Sequence, residues 1–392
     1  MINNIKIYPA FNSRGKETVE VKVFTGNSAY TASIPAGTSK GSNEAKDLPV
    51  SDIMGIFPKI RHYFIGMDEK NWREADKLLQ KIDKTKDFSN IGVNLALAIS
   101  IAIARAATDN QLYKLGKRKF RTTFPLPVSN VFGGGKHGGN CDWQEFLIIP
   151  HKATDPYMAF KTVLEVWGSI GEELLRKKIL VGKNIEEAWM SRLTDLKTLD
   201  FLSDIASDWD VKIGIDFAAS SIWTGKNYRY KKLRKTLSPE KHFNLVLEIA
   251  KKYNIYYLED PFHENDFKAF RNLTEELGGK ALVIGDDLYC TNQKRFERGI
   301  KHKSTNGIII KPNQIGTLTQ TEDVVRTAEK NNIRIIPSHR SKETFDPWLS
   351  DLAVAWHAPL IKIGMGADIA KHNRLIQLWK DIPNVRMAEL SF

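Results

Sequence analysis

The 392-residue chain carries two cysteines, Cys141 and Cys290, far apart in sequence. Such a pair supplies neither a disulfide framework nor the close spacing of a zinc or iron–sulfur site, so a reducing compartment is the expectation. No stretch approaches the roughly 20 apolar residues of a membrane helix, and the opening MINNIKIYPA lacks the apolar core of a signal peptide. A cytoplasmic location is therefore expected. Acidic residues are also in short supply, 46 against 58 Lys and Arg, a formal charge of +12. That balance favours acidic ligands or nucleic acid as partners and says nothing about fold. Against these absences, 42% of the residues are hydrophobic, which suffices for a packed core.

The first part of the chain reads as an α+β unit. VEVKVFT from Val19 alternates as a half-exposed strand, and YTASIPAG follows after a turn at Gly26 and Asn27, so a hairpin is expected. NWREADKLLQKI places Trp72, Ala75, Leu78, Leu79 and Ile82 on one helical face, and IGVNLALAISIAIARAA is apolar nearly all round, as a buried helix is. Pro125 and Pro127 in TTFPLP mark a boundary, giving an N-terminal α+β domain over 1–122 and a second domain over 123–392.

In the second part, short apolar runs recur, each closed by a polar residue: KIGID, IYYLED, ALVIGDD, GIIIK, IIPSH and PLIK. Helical stretches lie between them, such as SPEKHFNLVLEIAKKY with Ser238 as N-cap and Pro239 at the first helical position. The fold class implied is α/β, a (β/α) barrel whose active site sits at the C-terminal ends of its strands. Asp216, Glu259, Asp286, Lys311, His339 and Lys362 then ring one mouth. Lysine at the end of an isoleucine run is commonly a strand-end residue reaching water, but in such a ring Lys311 also reads as a tuned base. Three carboxylates on one mouth repel one another unless they hold a cation, and all-oxygen ligation suits Mg²⁺.

These residues resemble those of the enolases. NSRGKETVEV is similar to the family's DSRGNPTVEV, PAGTSKG to PSGASTG, and SNVFGGGKHGGN to FNVINGGSHAGN. QEF, IGIDFAAS, LEDPF, GDDLYCTN, KPNQIG, SHRSKET and IKIG follow in the family's order. The resemblance implies a (β/α)8-type enolase barrel behind its N-terminal domain, and a phosphopyruvate hydratase that dehydrates 2-phosphoglycerate to phosphoenolpyruvate in glycolysis and gluconeogenesis. Sites of this superfamily use a Lys or His base beside one or two Mg²⁺ ions. Here it implies Asp216, Glu259 and Asp286 on the first Mg²⁺, and a second Mg²⁺ arriving with substrate, helped by Ser39. Lys311 becomes the base, its pKa lowered by neighbouring cations such as Lys362 and the metals, and Lys362 holds the substrate carboxylate or enolate oxygen. Arg340 and Ser341 match phosphate contacts, His137 and His339 match the two active-site histidines, and Gln144 and Glu145 match residues that contact substrate and tune the acid. Because the early barrel strand of enolases runs antiparallel, Gln144 and Glu145, at its start, are expected at the mouth. A homodimer is also implied.

The family's acid loop, GDEGGFAP, is absent; the corresponding region reads LVGKNIEEAWMSRL. Aligned back from the following helix, Glu187 takes the acid's place; aligned forward from Val181 and Gly182, Asn184 does; Glu186 is a third candidate, and a solvated pair of glutamates starting a helix is the plain alternative. Glu187, opposite Glu145, is the choice adopted. After IKIG the family's APxRSER segment shrinks to MGAD. Two other functions stay open: an enolase-like enzyme acting on another acid, and a non-catalytic protein binding RNA or another acidic partner through YKLGKRKFR and YRYKKLRK.

Overall fold

The computed structural model describes residues 1–38, 41, 43–116 and 121–390. Strands Ile2–Phe11, Glu17–Thr25 and Ser28–Ser33 form an antiparallel sheet, with the expected hairpin closing through Gly26 at φ +54° and Thr25 opposite Ser28. Val19, Val21 and Val23 alternate into the interior and meet helix Val93–Ala107. That helix is buried from Val93 through Ala106, so its all-round apolar sequence has somewhere to go. Helix Trp72–Asp83 buries Trp72, Ala75 and Leu79, while Leu78 and Ile82 pack on the margin.

The second part is an eight-stranded barrel. Round it run Leu126–Gly133, Glu145–Ile149, Lys212–Asp216, Tyr257–Glu259, Leu282–Gly285, Gly307–Ile310, Arg334–Pro337 and Leu360–Lys362. A parallel bridge from Ser338 to Lys362, with Leu360 pairing Leu126, closes the ring. Most of these strands are buried on both faces, which is why they read as continuous apolar runs instead of alternating. Ser238 caps the helix Pro239–Lys252 by accepting from the Lys241 amide.

One strand runs the other way. Glu145–Ile149 is antiparallel to both neighbours, and its register sets Glu145 opposite Asp216 while Asp216 lies beside Glu259 in the next strand. Three carboxylates thus stand in a row across adjacent strands, about 4.8 Å apart at the backbone. Among the described residues no helix is long and apolar enough to cross a membrane.

Candidate active site

The strand ends open into a cavity of about 300 Å³. In the row of three carboxylates sits Lys362: its Nζ is 2.9 Å from Glu145 Oε2, 3.0 Å from Asp216 Oδ2 and 2.8 Å from Glu259 Oε2. Burial opposes its charge, yet Asp216, Glu145 and Glu259 outweigh burial and hold its pKa well above the ordinary lysine value. Gln144 extends the row, its Nε2 donating to Asp216 Oδ2 at 3.3 Å.

Lys311 leaves the Gly307–Ile310 strand in extended backbone and ion-pairs with Asp286 at the end of the neighbouring strand. Its pKa is raised: burial pushes it down, as do Arg340 and Lys362, but Asp286 prevails. Asp286 also accepts from Gln314 Nε2 at 3.3 Å. Behind it, Asp260 accepts from the Asp286 and Asp287 amides at 3.0 and 2.6 Å, fixing the loop that carries them.

The donor set fits a hard divalent cation. Glu259 is completely buried and its Oε1 has no hydrogen-bond partner among the described residues, while burial and the charge of Asp216 push its pKa up to about 8. A bare carboxylate oxygen in the middle of a barrel is costly unless a cation meets it. Asp216, Glu259 and Asp286 would hold that ion, with Lys362 and Lys311 now contacting the same carboxylates. Among the described residues the sets whose ligand atoms lie within 4.8 Å of one another are His137, Glu145 and Glu186, and Asp260, Asp286 and Asp287; Asp216, Glu259 and Asp286 are not drawn that close.

The acid region departs from the expectation. Instead of starting a helix, residues 180–191 form a hairpin of strands Leu180–Lys183 and Trp189–Ser191 docked on the barrel through Trp189 and Phe132. Asn184 makes the turn: its Oδ1 accepts from the amides of Glu186 at 2.8 Å and Ala188 at 3.0 Å. The chain then passes through φ +61° at Glu187, and the two glutamates part. Glu186 is buried, accepts from Asn130 Nδ2 at 3.0 Å and lies 3.4 Å from His137 Nδ1, which is equally close to Glu145 Oε1. Glu187, with a side chain 40% exposed, faces Lys183 at 3.7 Å. Glu186, and not Glu187, therefore meets Glu145. Glycine at 133 makes room, since a Cβ there would come within 2.1 Å of Asn184 Nδ2.

Electrostatics separate the two carboxyls. Burial, with the charges of Glu186 and Asp216, raises Glu145 to about 7 against the pull of Lys362. Glu186 is also penalised by burial, but His137, His339 and Asn130 hold it well below the ordinary range. What proton the pair retains near neutral pH therefore rests on Glu145. His339 is bonded through Nδ1 to Asp368; Asp368, assisted by Glu186 and Glu145, overcomes burial and raises the imidazole to about 9. Arg340 is buried against Glu44, with Nη2 to Oε2 at 3.0 Å, and donates to Asn313 Oδ1 at 2.9 Å. Ser341 Oγ donates to Thr38 Oγ1 at 2.8 Å and accepts from the Thr38 amide at 2.9 Å. Ser39 lies outside the described residues.

Residues 121–387 match the family model described as "Enolase, C-terminal TIM barrel domain", and residues 2–117 match "Enolase, N-terminal domain". The chain belongs to the enolase family. The enolase of Picrophilus torridus is 37% identical, covering 97% of this chain and 99% of its own length. That of Methanosphaera stadtmanae is 36% identical over 100% of this chain and 99% of its own, and that of Thermoplasma acidophilum 37% over 96% and 98%. Sequence reasoning passed over two residues of this enolase site, Glu44 and Asp260. Both lie in quoted or adjacent motif segments, but in loops without periodicity to say where a side chain goes.

Proposed function

We infer that the protein is a phosphopyruvate hydratase, a Mg²⁺-dependent lyase that dehydrates 2-phosphoglycerate to phosphoenolpyruvate in glycolysis and gluconeogenesis. The observation that carries this reading is an opposition across the barrel. Gly307–Ile310, which delivers Lys311, and Glu145–Ile149, which delivers Glu145, are separated by three strands in either direction round the ring. A substrate between them meets an amine on one face and a carboxyl pair on the other.

That arrangement suits elimination of water. The carbon-bound proton next to a carboxylate is weakly acidic, and its removal adds charge to a group that already carries one. Lys311 takes this proton, and Lys362 holds the oxygen on which the charge gathers. Asp216, Glu259 and Asp286 would hold the Mg²⁺ whose charge would offset the one that develops. Hydroxide is a poor leaving group, so the proton held by the Glu145–Glu186 pair, on Glu145, is delivered to it, with His137 between the two carboxylates. Gln144 orients Asp216 beside the substrate. Arg340 and Ser341 are the proposed phosphate contacts; a guanidinium fork at the cavity wall suits a phosphate group.

A second Mg²⁺ arriving with substrate, a homodimer and a cytoplasmic location complete the proposal. The test is direct. The purified protein with Mg²⁺ should form phosphoenolpyruvate from 2-phosphoglycerate, followed by ultraviolet absorbance, and removal of Mg²⁺ should stop it. Exchange of the substrate's carbon-bound proton without elimination would instead point to a different acid substrate.

A further inference from the structure

Behind the site a line of buried charges leads away from the cavity, and the hydratase reading leaves it without a role. Asp368 stands on the shortened MGAD segment that follows the last barrel strand, Leu360–Lys362. We propose that Asp368 is a positioning residue: it accepts from His339 Nδ1–H, fixing the ring's orientation and favouring its doubly protonated form, so that Nε2–H is offered to the cavity beside Glu186. The inference rests on the hydratase reading and adds to it the device that sets the charge next to the acid pair.

The geometry is fully determined on the Asp368 side. Its Oδ2 meets His339 Nδ1 and also accepts from the Gly364 amide at 2.8 Å, while its Oδ1 lies 3.0 Å from Lys371 Nζ. Lys371 is itself buried and pairs with Glu343 at 2.9 Å, and Glu343 Oε1 accepts from the Arg340 amide at 2.8 Å. Asp368 therefore cannot turn away from the imidazole without giving up the Gly364 hydrogen bond and the Lys371 ion pair. Gly364, opposite, carries no side chain; a Cβ there would stand 3.6 Å from His339 Cε1. The ring is pinned at Nδ1, lines the cavity, and has no hydrogen bond from Nε2 to any described residue. A carboxylate on one nitrogen of an imidazole sets which nitrogen faces the other way, and favours the doubly protonated ring.

The charged groups around His339 are Asp368 and, behind it, Lys371 from the segment after the last strand, Glu186 from the hairpin, Glu145 from the antiparallel strand, and Arg340 next in the chain. Of these only Asp368 bonds the ring directly. Its removal should leave the fold's other ion pairs, Lys371 with Glu343 and Arg340 with Glu44, in place.

The experiment is Asp368→Asn in the full chain, read three ways. By NMR of ¹⁵N-histidine-labelled protein, parental His339 should carry protons on both Nδ1 and Nε2 at pH 8, and in the variant its titration should fall toward the ordinary range. An imidazole titrating at about 9 is protonated in roughly nine molecules in ten at pH 8, against about one in ten for one titrating near 7, so kcat/KM should fall roughly 10-fold at that pH. At pH 6 the loss should nearly vanish. In a His339→Gln background the Asp368→Asn change should cost nothing further. A loss equal at pH 6 and pH 8, or one that adds to His339→Gln, assigns Asp368 a merely structural part and overturns the proposal. Should the variant fail to fold, the parent decides alone: a neutral His339 at pH 8, or one protonated only on Nε2, overturns it. If the parent forms no phosphoenolpyruvate the hydratase reading fails, while the NMR arm still judges Asp368 and His339.

Discussion

Lys311 and Asp286, ends of neighbouring barrel strands, form an ion pair at the edge of the catalytic cavity. Against burial, the aspartate holds the lysine's proton, while Arg340 and Lys362 work to release it. Whatever engages Asp286 leaves Lys311 to its two cationic neighbours, and the amine moves toward the neutral form a base requires.

Lys311→Ala should accordingly lose the ability to exchange the carbon-bound proton of 2-phosphoglycerate with deuterated water, by about 10² to 10⁴ in rate. Exchange at the parental rate would remove Lys311 from the role of base.

Addition of Mg²⁺ to chelator-treated protein should raise its thermal midpoint by a few degrees, because binding at about 100 times Kd adds ~2.7 kcal/mol to the folded state. Glu259→Gln should abolish most of that rise, since it neutralises the buried carboxylate with the unpartnered oxygen. A rise of equal size in the variant would place the ion elsewhere.

Glu186→Gln should still exchange the substrate proton yet form phosphoenolpyruvate about 10² to 10⁴ more slowly. Glu187→Gln, altering a half-exposed residue that pairs with Lys183, should stay near the parental rate. The reverse order of effects would return the acid's role to Glu187.

His339 gives a pH dependence of stability. Its folded pKa, about 9, exceeds the ordinary 6.5, so the folded state binds the proton more tightly than the unfolded chain. That stabilisation is complete below about 6.5 and is lost as pH rises through about 9. Thermal midpoints should therefore fall between pH 7 and pH 9, and His339→Gln should flatten that slope. An unchanged slope in the variant would mean that other groups cause it.

How much of this was legible depended on whether the side chain's direction follows from periodicity. The barrel strands were, because each is a buried apolar run stopped by a polar residue at the mouth, and the helix Val93–Ala107 was, because only a fully covered helix is apolar all round. Asp216, Glu259 and Lys362 follow from the same rule, and all three meet at one Nζ. The placement of the two adjacent glutamates did not follow. Glu186 and Glu187 are adjacent and chemically identical, and what separates them is the Asn184 turn and a left-handed backbone at Glu187, which no spacing of apolar residues encodes. The Lys311–Asp286 pair was not legible for a related reason: strand order shows which charges are near, but only the bond to Asp286 shows which is nearest.

The Arg340–Glu44 pair joins the barrel to the N-terminal part of the chain, where Ala36 is also bridged to Lys342. An anion that draws on the Arg340 guanidinium competes with Glu44 for the same N–H groups. By reciprocity, any rearrangement that lodges Glu44 elsewhere tightens the anion's hold by the same factor, and the anion in turn favours that rearrangement. The seating of the segment around Glu44 and the affinity for phosphate are thus two readings of a single equilibrium.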